Sequence, residues 1–334
     1  MRPLLVVGSI NVDISVRVPR LTEPGETLLG RDLYMSPGGK GANQAHAARL
    51  DGASVRLVGA VGRDSFGAVA LQSLQDRGVG LAAVRRLVDA TTGVALIQVA
   101  DDGDNSVALA AGANEMLKDW QLERLVDAAT WASHDLLLQW ELLPESSMRA
   151  ASLARAAGSR VTLNLAPARL LHLLQPELVD WCLVNEGELA ALARHLGLPA
   201  GLHEAARALA QRVGQGVIVT MGSRGVFACE RAPDPEATQP GRVECLPPEG
   251  VHLAAHAVAA VDTTGAGDTF CGVWAAALAA GCSTLQALQR ANAAAALSCR
   301  RRGAQAAQPT RQEIDALLAQ CGSTPPTAAV PALT

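Results

Sequence analysis

Short, continuous apolar runs alternate along this chain with stretches of helical spacing. Leu4–Val7 and Ser54–Val61 are apolar runs that each precede a turn, while Ala42–Leu50 and Phe66–Gln75 repeat apolar residues at helical intervals. Asp135–Leu142 and Arg160–Leu165 read as buried strands on either side of a helix at Glu145–Ala157. Asp180–Val184 is a further strand entering a helix at Glu186, and Gly216–Thr220 and Gly225–Cys229 flank a turn at Met221–Arg224. Helices then follow over Asp268–Ala280, Leu285–Arg300 and Thr310–Leu318. Strands that are apolar throughout, without alternation, are buried on both faces. The pattern therefore predicts an α/β fold with a mostly parallel sheet covered on both sides by helices.

Two segments depart from that rhythm. Residues 12–36 contain Pro19 and Pro24-Gly25 among alternating positions, and residues 92–110 contain VALIQV, the turn Asp101–Asp104 and SVALA. Both read as small antiparallel ribbons attached to the sheet, and together they make a lid. The expected organisation is a single α/β domain over residues 1–321, with lid segments at about 12–37 and 92–112. Residues 232–248 are Pro-rich and read as a loop, and residues 322–334 (GSTPPTAAVPALT) as a disordered tail.

Composition narrows the classes. The 334 residues are 49% hydrophobic and 18% charged, enough apolar content for a sizeable core, but only 3% are aromatic, so Leu, Val and Ala must fill it. A net charge of −4 leaves no basic footprint for nucleic acid or an anionic membrane, so an anionic substrate needs a local site. The seven cysteines are scattered without CxxC pairs or zinc spacing, which reads as reduced thiols in a cytoplasmic protein. Thr269 to Gln289 carries no charge over 21 residues but is broken by Gly272, Gly281, Ser283 and Thr284. It reads as buried helix with a turn near Gly281, not a membrane span.

Candidate chemistry starts at residues 261–270 (VDTTGAGDTF). Gly265-Ala266-Gly267 leaves backbone N–H groups open at the start of an apolar helix, where the helix dipole favours an anion. Asp268 at the mouth of such a site would be repelled by the anion unless it took a proton from a hydroxyl that attacks a phosphate. The same residues read equally as a glycine turn with an Asp cap. A second cluster, residues 37–45 (PGGKGANQA), sets three glycines around Lys40 but lacks Walker A spacing. Its Gly-Gly turn lets polyol hydroxyls approach the backbone, with Lys40 and Asn43 as donors, or serves only as a tight turn. Asn11 and Asp13 sit at alternate positions, on one side of a strand, as a pair suited to a sugar diol or to capping a strand end.

Taken together, these pieces resemble the PfkB-type (ribokinase) family of carbohydrate kinases from Gly8 to about Leu318. The carriers are GSINVD (8–13), PGET (24–27), GGKGANQA (38–45), TGVALI (92–97), AGAN (111–114), QWELLPES (139–146), NLAPAR (164–169), NEGE (185–188), TMGSRG (220–225), VDTTGAGDTF (261–270) and RRGAQ (301–305). The resemblance implies a three-layer, doubly wound sheet with a small β lid, and ATP-dependent phosphorylation of ribose at its terminal hydroxyl. Asp268 resembles the family's general base, and Gly265, Ala266 and Gly267 its anion hole. Asn11, Asp13, Gly39, Lys40, Asn43 and Glu141 match sugar-contacting positions. Asn185, Thr220, Gly222, Ser223, Gly225, Gly267 and Asn292 match positions around ATP, and Glu188 one that influences Mg²⁺ through water. Asp262, Thr264, Ser298, Arg301, Gly303 and Ala307 match a potassium (monovalent-cation) site beside the anion hole, mostly through backbone oxygens.

Three departures from the family pattern stand out. Ala307 replaces a usual Ser, removing a hydroxyl from the cation site; Leu165 gives NLAPAR where NPAPAR is commoner; Val184 precedes Asn185 where Pro is usual. The alternatives are another sugar or nucleoside kinase of this fold (deoxyribokinase or fructokinase-like), or a non-catalytic sugar-binding protein. Few aromatic residues argue against a nucleoside. The expected partners are ATP and D-ribose, with Mg²⁺ and K⁺, without nucleic acid or membrane, and a homodimer formed through the lid.

Overall fold

The computed structural model describes residues 2–232 and 246–321, so most of the Pro-rich loop at 232–248 and the tail at 322–334 lie outside the described residues. The strands are β1 (Leu4–Val7), β2 (Asn11–Val18), β3 (Arg31–Gly38), β4 (Val55–Gly62), β5 (Val84–Leu87), β6 (Gly93–Ala100) and β7 (Asn105–Ala110). They continue with β8 (Asp135–Gln139), β9 (Val161–Asn164), β10 (Trp181–Asn185), β11 (Gly216–Thr220), β12 (Val226–Glu230) and β13 (Val251–Leu253). The first helices are α1 (Lys40–Leu50), α2 (Ser65–Asp76), the short α3 (Leu122–Leu125) and α4 (Ala128–Ser133), and α5 (Pro144–Ala156). After them come α6 (Glu186–Leu196), α7 (Leu202–Ala210), α8 (Ala266–Ala279), α9 (Thr284–Ser298) and α10 (Arg311–Cys321).

Nine strands form one sheet in the order β13-β12-β11-β10-β9-β8-β1-β4-β5. Every pair is parallel except β11 with β12 and β12 with β13. The period-2 geometry of a strand assigns its residues to opposite faces. Leu5 and Val7 pack with Leu136, Leu138, Val217 and Val219 against α5, α6 and α7. Leu4, Val6 and Leu137 face the other way, with Ala42, Ala45 and Ala275 of α1 and α8. The result is a sheet covered on both faces, as the apolar runs predict, in the three-layer, doubly wound architecture that the family resemblance implies.

The two irregular ribbons join into a separate four-stranded sheet, β3-β2-β6-β7. β2 pairs antiparallel with β3 and parallel with β6, and β6 turns back antiparallel onto β7.

Several bounds differ from the sequence expectation for identifiable reasons. The strand expected over Asp135–Leu142 ends at Gln139, because the Trp140 indole is buried and donates to the Arg169 carbonyl at 2.6 Å, turning the chain out of the sheet. The helix expected from Ala42 begins at Lys40, directly after Gly39, whose φ of 87° makes the turn. The uncharged stretch Thr269–Gln289 is divided between α8 and α9 by a turn at Gly281, and no helix among the described residues is long and apolar enough to cross a membrane.

Candidate active site

Polar residues collect at the carboxyl ends of the parallel strands, where α/β sheets place their ligands. β8 and β9 end on the register partners Gln139 and Asn164, and β10 and β11 end on the partners Asn185 and Thr220. The first turns of α1 and α8 come down onto this edge. There the structure brings together Asp13, Lys40, Asn43, Glu141 and Asp268, which the sequence placed at the sugar and phosphate ends.

Asp268 lies in the first turn of α8 and is buried. Asn43 Nδ2 donates to its Oδ2 at 2.9 Å, and Gln44 Nε2 to its Oδ1 at 2.9 Å. Gly265, at φ 74°, caps the helix in the left-handed conformation; a Cβ there would meet Ala304 Cα and Cβ at 3.0 Å. A Cβ on Gly267 would meet nothing within 4 Å, so the face of this turn is open. The first N–H groups of a helix have no intrahelical acceptor; the Ala266 N–H is drawn to the Thr263 carbonyl at 3.2 Å, and the Gly265 and Gly267 N–H groups present donors beside the carboxylate.

The sugar-end residues form a charged cluster. Lys40 Nζ lies 4.0 Å from Glu141 Oε1, and the Lys40 backbone N–H donates to Glu141 Oε2 at 3.2 Å. Ser9 Oγ donates to the same oxygen at 2.5 Å. The charge of Asp268 raises the Lys40 pKa against the opposing effect of burial, with Glu141 and Glu188 adding to it. Asp13 is pushed up to about 6, first by burial and then by the charges of Glu141 and Asp268, with Lys40 offsetting part of the shift. Asn11 Oδ1 accepts from Asn114 Nδ2 at 2.8 Å, which leaves the Asn11 amide NH₂ as the free donor. Gly39 cannot carry a side chain here: a Cβ would fall 2.7 Å from the Asn11 nitrogen and 2.8 Å from the Ser9 oxygen.

Residues matched to ATP positions line the edge beyond β10. Asn185 caps α6 by accepting from the Glu188 N–H at 2.8 Å, and Glu188 Oε2 accepts from the Asn185 N–H at 2.8 Å. Glu188 is therefore built into a capping box. Burial raises its pKa, with the charge of Asp268 adding and the Asn185 N–H and Lys40 offsetting. Thr220 Oγ1 donates to the Val184 carbonyl at 3.4 Å, and Gly222, Ser223 and Gly225 form a tight turn with positive φ at both glycines. Asn292, on α9, donates to the Ala254 carbonyl at 2.7 Å.

Asp262 ties two loops together. Its Oδ1 accepts from the Thr264 N–H and its Oδ2 from the Gly303 N–H, each at 2.9 Å. Burial works to raise its pKa, but these N–H groups prevail and hold it low. The Val261 and Asp262 N–H groups both donate to the Cys299 carbonyl, at 2.8 and 3.2 Å. The other residues matched to the cation site are committed locally: Ser298 Oγ donates to the Ala295 carbonyl at 2.8 Å, Arg301 pairs with Glu313, and Ala307 is buried. Among the described residues no group of three or more His, Cys, Asp or Glu side chains is placed to hold a metal ion. Among the described residues Cys182, Cys229, Cys271, Cys282 and Cys299 are free thiols; burial, reinforced by the charge of Asp268, pushes the Cys271 thiol well above its ordinary pKa.

Of the amides around Asp268, sequence reasoning assigned a role only to Asn43. Gln44, Gln139, Asn164 and Gln305 all fall inside the motifs that carried the resemblance, and their inclusion there was the available signal. Ser9 and Asn114, which fix Glu141 and Asn11, were missed in the same way.

Comparison with known proteins follows the geometry. The model of the pfkB family carbohydrate kinases matches residues 1–311. The chain is 35% identical over 313 residues to ribokinase from Haemophilus influenzae, covering 93% of this chain and 97% of that one. Its fold is similar to that of ribokinase from Thermotoga maritima, with a TM-score of 0.81, 32% identity, and coverage of 95% of this chain and 99% of that one. It is likewise similar to Arabidopsis thaliana ribokinase complexed with ribose and ATP, with a TM-score of 0.79, 30% identity, and coverage of 95% and 98%.

Proposed function

The chain belongs to the pfkB family of carbohydrate kinases, and from that premise we propose that it acts as an ATP-dependent ribokinase, phosphorylating O5 of D-ribose to give ribose 5-phosphate and ADP. The observation that carries the reading is the buried carboxylate of Asp268 in the first turn of α8, with the open glycine turn on one side and Asn43 and Lys40 on the other. The Arabidopsis thaliana relative, with ribose and ATP bound, supports the choice of substrates.

In this reading Asn11, Asp13, Gly39, Lys40, Asn43 and Glu141 hold the sugar. Asp13 and Glu141 accept hydroxyl protons, and the Asn11, Lys40 and Asn43 nitrogens donate to hydroxyl oxygens. Asp268 takes the proton of the attacking hydroxyl, while the backbone donors of Gly265, Ala266 and Gly267 receive the charge that develops on the phosphoryl oxygens. Asn185, Thr220, Gly222, Ser223, Gly225, Gly267 and Asn292 position ATP, and holding both reactants in line supplies much of the acceleration. The four-stranded sheet closes over the sugar as a lid on the single domain formed by residues 1–321.

Two ions belong to the proposal. Mg²⁺ arriving with ATP would neutralise phosphate charge, and Glu188, partly exposed in the first turn of α6, would meet it through water. A potassium ion suits the carbonyl-bearing loops that Asp262 ties together, with Thr264, Ser298, Arg301, Gly303 and Ala307 contributing backbone oxygens. Ala307 has no hydroxyl to add.

The experiment is a coupled assay of ADP release by the purified protein with ribose, 2-deoxyribose, fructose and adenosine. The reading predicts the highest kcat/KM for ribose and a product phosphorylated at O5. A preference for another sugar would reassign the substrate within the family, and saturable sugar binding without ADP release would make the protein a binding protein.

A further inference from the structure

Both carboxylate oxygens of Asp268 accept from side-chain amides, and neither amide is free to turn. Gln44 is fully buried on α1. Its Oε1 accepts from Gln139 Nε2 at 2.8 Å, and its Nε2 donates to Asn164 Oδ1 at 3.0 Å as well as to Asp268. Asn164 in turn uses its own NH₂ on the Leu183 carbonyl at 3.3 Å, so its oxygen must face Gln44. Reversing the Gln44 amide would turn its oxygen to both Asn164 Oδ1 and Asp268, so these two acceptors leave Gln44 one orientation.

The second oxygen is controlled the same way from the opposite side. Asn43 must give its NH₂ to the acceptor-only carboxylate, so its Oδ1 accepts from the Gln305 NH₂ at 3.1 Å, and Gln305 Oε1 is left to take the hydroxyl proton of Ser73 of α2. The backbone of Asn43 is held as well, its carbonyl accepting from Gln308 Nε2 at 2.9 Å. One relay runs to the ends of β8 and β9, and the other to α2 and the loop after α9.

We propose that Gln44 and Gln305 are positioning residues for the phosphoryl transfer: the two locked relays keep donors on both oxygens of Asp268 and so fix the direction in which it accepts the sugar's proton. Neither glutamine belongs to the set that holds sugar or ATP. The inference rests on Asp268 acting as the base. A purely structural role, in which buried amides satisfy one another, predicts different kinetics.

The experiment uses Gln44→Met and Gln305→Met, which keep side-chain length and remove the donors, each made also in an Asp268→Asn background. A displacement of about 1 Å in a catalytic group costs on the order of 10²-fold. The expected result is a kcat loss of roughly 10- to 100-fold in the single variants, with KM for ribose and ATP within about threefold of wild type. In the Asp268→Asn background the same substitutions change kcat by less than about twofold, since there is no longer a base to aim. A kcat within about twofold of wild type in either folded variant overturns the proposal for that residue. A loss that persists undiminished beside Asp268→Asn assigns the glutamines to structure and overturns it too. Gln305, buried in the loop after α9 rather than within a helix of the core, carries the test alone if Gln44→Met does not fold. Wild-type kcat in Asp268→Asn itself would remove the base reading beneath the proposal, an outcome distinct from either.

Discussion

Asn43 Nδ2 and Asp268 Oδ2 meet at 2.9 Å across 225 residues of sequence. The bond joins the glycine cluster that starts α1 to the glycine turn that starts α8, so the sugar end and the phosphate end share a hydrogen-bonded pair. In the proposed function Asn43 would therefore have two duties, steadying Asp268 as the base and donating to a sugar hydroxyl.

Asp13 gives the site a pH dependence of definite sign. Its pKa is raised to about 6, so it loses its charge as pH falls through that value. An uncharged Asp13 cannot accept two hydroxyl protons as a carboxylate does. The KM for ribose should therefore rise roughly tenfold between pH 7 and pH 5, from the change in ionised fraction. Asp13→Asn should raise KM and flatten that dependence. A wild-type KM that stays level across this range would show that the charge of Asp13 does not hold the sugar.

Gly39 tolerates no side chain for two separate reasons. At φ 87° and ψ 130° a Cβ is strained by about 1–3 kcal/mol, and it would also meet the Asn11 nitrogen, the Ser9 oxygen and Ile10 Cα at 2.7–2.9 Å. Gly39→Ala should cost roughly another 1–3 kcal/mol through overpacking and shift Lys40 and Asn43 together. Urea denaturation and ribose binding should both report the change. Normal stability with normal affinity would show that the α1 turn can relax freely.

The loops held by Asp262 should respond to monovalent cations. K⁺ should raise kcat relative to a large organic cation, and Asp262→Ala should abolish most of that activation. The loss in kcat should be on the order of tenfold, less than the 10²–10³ typical of removing an oxyanion donor outright. Steady-state rates across a K⁺ titration measure it. Identical K⁺ response in wild type and Asp262→Ala would separate the carboxylate from cation binding.

The four-stranded sheet exposes several apolar side chains, among them Leu33, Met35 and Leu96. Met35 and Leu96 flank Ile14 in register on β3, β2 and β6, and both are exposed. A homodimer through this sheet would bury them. Sedimentation at micromolar concentration should give twice the chain mass, and Leu96→Asp should return it to one chain mass. A wild-type monomer under these conditions would refute the dimer.

The central sheet was legible because strands buried on both faces leave continuous apolar runs, as in Leu4–Val7 and Gly216–Thr220. β5 (VRRL) and β13 (VHL) carry no such run; they exist because a neighbouring strand offers hydrogen bonds, which no local pattern records. α7 (LHEAARALA) was amphipathic but short, and stood unread between two glycines. At the site, charged residues and glycines announced themselves because their chemistry is costly or conformationally special. Gln44, Gln139, Asn164 and Gln305 did not, since a neutral amide gains its role only from the groups that topology sets beside it. The order of the strands, not their sequence, makes Gln139 and Asn164 neighbours.

The most direct measurement is the rate of ribose-dependent ADP release by Asp268→Asn, taken with ribose affinity measured on the same variant. The account predicts a kcat lower by roughly 10²–10⁴-fold, the range for removing a general base, with ribose binding changed by no more than a few-fold. A variant that turns over at the wild-type rate would contradict it.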